Sequence, residues 1–148
     1  MIICEYLFSK LSWTSLNNIN KTMQKQKTIL IVDDLDDLVF VIGALLQNRG
    51  YKSISASSGA EALSKFKKYK IDLIIAGNEL PDMRGVKLIK GIRKIDKVVP
   101  IIMMVDEFKD AKELRKISDR AKRVGADKVV LKLFESEGMM GMVNELLR

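Results

Sequence analysis

Two acids stand directly behind an apolar run: Asp33 and Asp34 follow Ile29-Leu30-Ile31-Val32, with Asp36 and Asp37 close after them. A second apolar run leads into Gly77-Asn78-Glu79 and then Pro81-Asp82-Met83-Arg84-Gly85, and Lys132 ends a last one. The sequence holds no histidine, which removes His-based metal sites, His general bases and Ser-His-Asp triads. Chemistry therefore has to come from carboxylates, lysines and hydroxyls. By residue type alone, Asp33 and Asp34 are loop acids, Asp34 is a candidate cap for the helix that follows, and Lys132 is their electrostatic partner. Neither G-x-G-x-x-G nor a P-loop is present, and acids stand where a phosphate would need a glycine-rich loop, so nucleotide and flavin binding are disfavoured.

The elements that must position these residues are readable from hydropathy. Residues 29–32 form a continuous apolar run, as in a strand buried on both faces. Leu38, Val41, Ile42, Leu45 and Leu46 recur at helical spacing up to Gly50. A weaker strand spans 51–56, and Ser58 with Glu61 marks a helix entry whose inner face is Ala62, Leu63 and Phe66. Residues 72–76 give a third strand, 85–95 a helix and 99–105 a fourth strand. A helix over 109–124 turns Leu114, Ile117, Ala121 and Val124 inward, 127–132 is a fifth strand, and 136–147 closes as a helix. Five βα units in succession predict a doubly wound parallel sheet with helices on both faces, whose functional loops lie at the carboxyl ends of the strands.

The 148 residues suit one domain, with 47% hydrophobic and 30% charged residues placing it among ordinary soluble proteins. The single cysteine, Cys4, excludes an internal disulfide framework and fits a reducing cytoplasm. The net charge of +7 is spread along the chain and reads as a lysine-rich solvated surface; no nucleic-acid motif accompanies it, and neither nucleic acid nor a membrane is expected as a partner. Residues 1–27 form a flexible N-terminal extension to the 28–148 domain. Its apolar start is too short to span a bilayer and lacks the basic stretch of a signal peptide. Met23 stands where the native start is expected; the rival reading is a docking segment carried by Tyr6, Leu7, Phe8, Leu11 and Trp13.

Paired acids after strand one, P-x-M-x-G after strand three and a lysine after strand five, in that order, resemble the response-regulator receiver family of two-component signalling over about residues 28–147. The resemblance implies a flavodoxin-like sheet of order 2-1-3-4-5. It also implies Mg²⁺ held by Asp33 and Asp34 beside an acceptor aspartate, with a Ser or Thr and Lys132 on the phosphoryl group. The acceptor position, four residues before Pro81, is Gly77, which has no side chain. The Ser/Thr position is Val105, the switch aromatic is Val129, Leu133 replaces the usual proline, and the stretch from Val105 to Lys132 is longer than usual. Glu79 offers a substitute carboxylate, so Asp33, Asp34 and Glu79 are the candidates for a weak Mg²⁺ site; no cofactor is required.

Three losses on one pathway indicate a degenerate receiver, a non-enzymatic module that works without phosphorylation. Its expected partner is a histidine kinase, another receiver or an output protein, with homodimerisation through helix four, strand five and helix five as an option. Because no effector domain follows Arg148, output is expected to pass through a partner. Two alternatives are a regulator whose chemistry has moved to another residue such as Asp34, and a phosphatase of the haloacid-dehalogenase type, which Asp34-Leu35-Asp36 faintly resembles. Met139, Met140 and Met142 read first as core residues and second as adaptable interface residues.

Overall fold

Each segment expected to be a strand becomes a strand of one sheet. The computed structural model describes residues 25–106, 110–133 and 135–148; the expectations for residues 1–24 lie outside them. The order of elements is β1 (Thr28–Val32), α1 (Asp36–Asn48), β2 (Lys52–Ala56), α2 (Gly59–Lys68), β3 (Leu73–Gly77), α3 (Gly85–Ile95), β4 (Ile101–Val105), α4 (Ala111–Val124), β5 (Lys128–Leu131) and α5 (Ser136–Leu146). The five strands are parallel in the order β2-β1-β3-β4-β5, as expected. Strands three and four start later than hydropathy suggests. Pro100, without an N–H to donate, lies just outside the ladder, where its carbonyl accepts from Ile74 N.

Because side chains alternate along a strand, the sheet builds two separate cores. Leu30, Val32, Ile74, Ala76, Ile101, Met103 and Val105 face α2, α3 and α4. Ile29, Ile31, Leu73, Ile75, Ile102 and Met104 face α1 and α5, where Met139, Met140 and Val143 are buried. These two methionines are therefore core residues, and Met142 is partly buried against the same cluster.

Register then lines up the strand ends. Val32 lies between Ala56 and Ala76, Gly77 beside Met104, and Val105 beside Leu131. The residues that follow β1, β3, β4 and β5 are thereby brought to one edge. The connections at this edge are held by capping. Ser58 accepts from Glu61 N at 3.2 Å, while the Glu61 carboxylate accepts from Ser57 N at 3.0 Å. Asp82, from the β3–α3 loop, accepts from Gly59 N and Ala60 N at 2.8 and 2.9 Å, capping α2 across the loop. A Cβ on Gly59 would run into the Met83 side chain, which packs directly over this glycine. At the opposite edge Arg93 donates to the Gly125 and Val99 carbonyls and pairs with Asp127 at 3.3 Å, tying α3 to the α4–β5 turn.

The amides of Ala60 and Gly59 hold the Asp82 carboxyl below its ordinary value. Lys65, then Ser57, push Glu61 down from 4.5 to about 2. A folded pKa below the unfolded one means stabilisation that is present above the unfolded value and lost as pH falls through the folded one. Asp82→Asn is expected to lower the melting temperature at neutral pH and to weaken the loss of stability as pH falls through and below the ordinary value of 3.8. An acid limb identical to that of the parent protein would show that the cross-loop cap contributes nothing.

Candidate functional site

Asp33 is the deepest charge in the described structure: its side chain is 0% exposed. Its position follows from β1, whose last residue is buried between two neighbouring strands, so the next residue is still inside the sheet edge. Asp33 N donates to Ala56 O at 3.1 Å, continuing the β1–β2 ladder one residue past the strand. Oδ1 accepts from Leu35 N at 3.0 Å. Oδ2 faces the Lys132 Nζ at 2.9 Å. That contact is a charge pair without the angles of a directed hydrogen bond, since Oδ2 has no aligned donor among the described residues. A carboxylate taken out of water needs such a counter-charge.

Lys132 reaches the pocket because its amide donates to Val105 O at 2.9 Å, carrying the β4–β5 ladder one residue beyond β5. Its side chain is 12% exposed and touches a second acid, Asp106, at 3.4 Å. Burial works against its charge, but the contacts with Asp33 and Asp106 outweigh that and leave the ammonium above its ordinary pKa. Asp106, the first residue after β4, was not among the residues singled out from sequence. The available signal was its place at a strand's carboxyl end, one residue beyond Val105.

Gly77 ends β3 directly beside Asp33. A Cβ at position 77 would lie 2.5 Å from Asp33 Oδ2, a separation that real Cβ atoms do not show. The carboxylate thus fills the space that any side chain on the end of β3 would enter. Asn78 is buried, with its amide donating to Met104 O at 2.8 Å. The turn then closes tightly: Gly85 N donates to Asn78 O at 2.6 Å, and a Cβ on Gly85 would meet the Gly77 carbonyl at 2.5 Å. Val105 is fully buried, and Val129 is half-buried opposite Met103. Neither can donate a hydrogen bond from its side chain.

Two expectations are corrected. Asp34 does not cap α1: Leu35 stands at the cap position without a side-chain hydrogen bond, and Asp33 takes the Leu35 amide instead. The reason is that Asp33 points along the chain into the site while Asp34 faces solvent. Nor do Asp33, Asp34 and Glu79 converge; no group of three acids among the described residues could hold a metal ion. Asp33 is committed to Lys132, Asp34 is exposed, and Glu79, whose backbone pairs with that of Arg84, lines a different recess together with Arg84 and α4. An Mg²⁺ ion on Asp33 Oδ2 would have to share that oxygen with an ammonium. The residues present do not fit a resident Mg²⁺. What the site does hold is a neutralised buried pair opening onto a groove of about 720 Å³, lined by Asp34, Leu35, Val41, Lys132 and Leu133.

The comparisons with known proteins agree with this architecture. The chain is 31% identical over 122 residues to the alkaline phosphatase synthesis transcriptional regulatory protein PhoP of Bacillus subtilis, covering 82% of this chain and 49% of the relative. It is 28% identical over 106 residues to sporulation initiation phosphotransferase F of the same organism, covering 68% and 86%. The chain thus spans about half or less of the transcriptional regulators it matches and most of the phosphotransferase. Among solved structures, the chemotaxis response regulator CheY4 of Vibrio cholerae superposes with a TM-score of 0.73 at 29% identity, covering 83% of this chain and all of that one. No helix among the described residues is long and apolar enough to cross a membrane. With the match extending over residues 29–144, the chain belongs to the response regulator receiver domain family.

Proposed function

We propose that this chain is an atypical receiver that serves two-component signalling as a protein-interaction module and is not itself phosphorylated. One observation carries the reading. The end of β3 has no side chain, and the Asp33 carboxylate, bound to Lys132, occupies the space beside Gly77 where one would stand. A phosphoryl group entering there would meet Val105 where a hydroxyl would be needed and a lysine already paired. No catalytic residue is assigned, and neither Mg²⁺ nor another cofactor is required. The partner is a histidine kinase, a second receiver or an output protein in the cytoplasm. It engages the surface of α4, β5 and α5, which also offers a route to a homodimer. Asp34 supports the second reading, a shifted acceptor, because it is exposed in the groove beside Lys132.

Amide NMR spectra with Mg²⁺ and beryllofluoride, a phosphoryl mimic, separate these readings. No saturable shifts are expected at residues 33–34, 77–85 and 132. Shifts that reach α4 would show a working switch, and their loss in Asp34→Asn would assign it to Asp34.

Breaking the buried pair should be costly: Lys132→Ala is expected to destabilise the fold by about 3–5 kcal/mol because it strands the Asp33 charge. The double variant Asp33→Asn with Lys132→Met should recover most of that loss in a denaturant melt. Additive losses would show the pair to be incidental. The raised pKa of Lys132 gives the sign of the alkaline limb. Its stabilisation is complete below about pH 10.5 and declines as pH rises through the folded value. The double variant should lack that decline.

Gly77→Ala should cost about 1–3 kcal/mol, because Asp33 must leave Lys132 to admit the methyl group. Stability equal to the parent would mean that the carboxylate does not fill the position.

A further inference from the structure

The sequence spreads its bases along the chain, but the fold sorts them onto one face. Helices α2, α3 and α4 all cover the same side of the sheet and carry thirteen lysines and arginines against three acids. Helices α1 and α5 cover the other side and carry four acids and no base. The net charge of +7 is thus carried unevenly by two opposed layers. Arg93 is spent inside the fold on carbonyls, so it adds little to the surface. Six of the exposed remainder form two rows. Lys87, Lys90 and Lys94 follow one stripe of α3, and Lys112, Lys116 and Arg120 follow one stripe of α4. The ion pairs seen between described residues involve none of these six.

We infer that this face binds double-stranded nucleic acid through its phosphates, without reading sequence. The spacing supports it. Each row runs about 10–12 Å along its helix at 1.5 Å per residue. The two helices pack against one another, and neighbouring helix axes lie about 8–10 Å apart, which sets two rows of cations on the scale of a duplex groove. Composition argues against the other polyanionic partners. A protein partner would call for an apolar centre with few lysines, whereas these rows are nearly all lysine with no exposed large apolar residue between them. A lipid surface would call for apolar side chains to insert. The exposed Tyr69, Ile95 and Val98 on this side lie past or at the helix ends, at the edge away from Arg84 and the recess it forms with α4. Lysine as a point charge suits a phosphate backbone.

The test uses the full chain and a fluorescent duplex of about 30 base pairs of mixed sequence, titrated from about 50 to about 200 mM salt. Saturable binding that weakens steeply with salt is expected. The variant K87E/K90E/K94E should bind more than about tenfold more weakly and lower the salt slope by roughly 2–3 units, one for each phosphate no longer neutralised. The control K25E/K27E/K52E makes the same change in net charge on exposed residues elsewhere and should bind like the parent. Absence of binding at low salt would overturn the inference. So would an equal weakening in the control, which would reduce the effect to net charge, or binding to phosphatidylserine-containing vesicles with none to the duplex. Circular dichroism melts of each variant confirm that the fold is kept.

Discussion

A carboxylate with no exposed surface has to be neutralised, and in this chain the neutralising group comes from the far edge strand. Asp33 follows β1 near the middle of the sheet and Lys132 follows β5 at its margin. Their contact at 2.9 Å spans β3 and β4, so those strands must end at a height that leaves the path open. Gly77 supplies that opening, since a side chain there would fall within 2.5 Å of Oδ2. Such a pair adds little net stability over an apolar replacement, but losing one partner is expensive. Its structural effect is therefore to fix position. It ties the end of β5, an edge strand of half-buried residues, to the most buried part of the sheet.

The same constraint explains which parts of the architecture could be read in advance. Continuous apolar runs gave the three central strands, because a strand covered on both faces has no polar position to alternate with. Ser58 and Glu61 marked the start of α2 through a local hydrogen-bond pattern, which sequence spacing contains in full. The strand-end residues Asp33, Gly77 and Lys132 were legible through their order along the chain. What spacing does not contain is contact across elements. Asp106 joins Lys132 only because β4 and β5 are neighbours in register, and Asp82 caps a helix that begins well before it in the chain. The choice between Asp33 and Asp34 as the inward acid depends on the ladder continuing one residue past Val32. That is a property of the sheet, not of the run that precedes it.

Charge follows a similar logic. In a doubly wound fold the sides taken by successive helices are set by the strand order and by right-handed crossovers. In this chain α2, α3 and α4 share a side, and the basic segments of the sequence are those three helices. Segments that look like scattered solvated lysines in one dimension are adjacent rows in three. The sheet between the layers is apolar and packed on both faces, so acids on one side cannot reach through it to pair with bases on the other. The basic layer keeps its field on its own side, and the groove bearing Asp34, Asp36 and Asp37 keeps the opposite sign on the other.

These two features bear on how a receiver with a glycine at the end of β3 could still take part in signalling. A phosphorylation switch works by adding charge to a pocket and letting the strand ends respond to it. Here the pocket already contains a closed charge pair, and its lysine is occupied by Asp33 and Asp106 at once. With the interior charge fixed, the free energy available to bias the domain lies at its surfaces, where a partner can bind one arrangement better than another. The face of α2, α3 and α4 carries the basic excess, so recognition there depends on ionic strength while the buried pair, shielded from salt, does not. On the proposed reading, a domain built this way holds its own strand ends in place and takes its state from whatever binds outside.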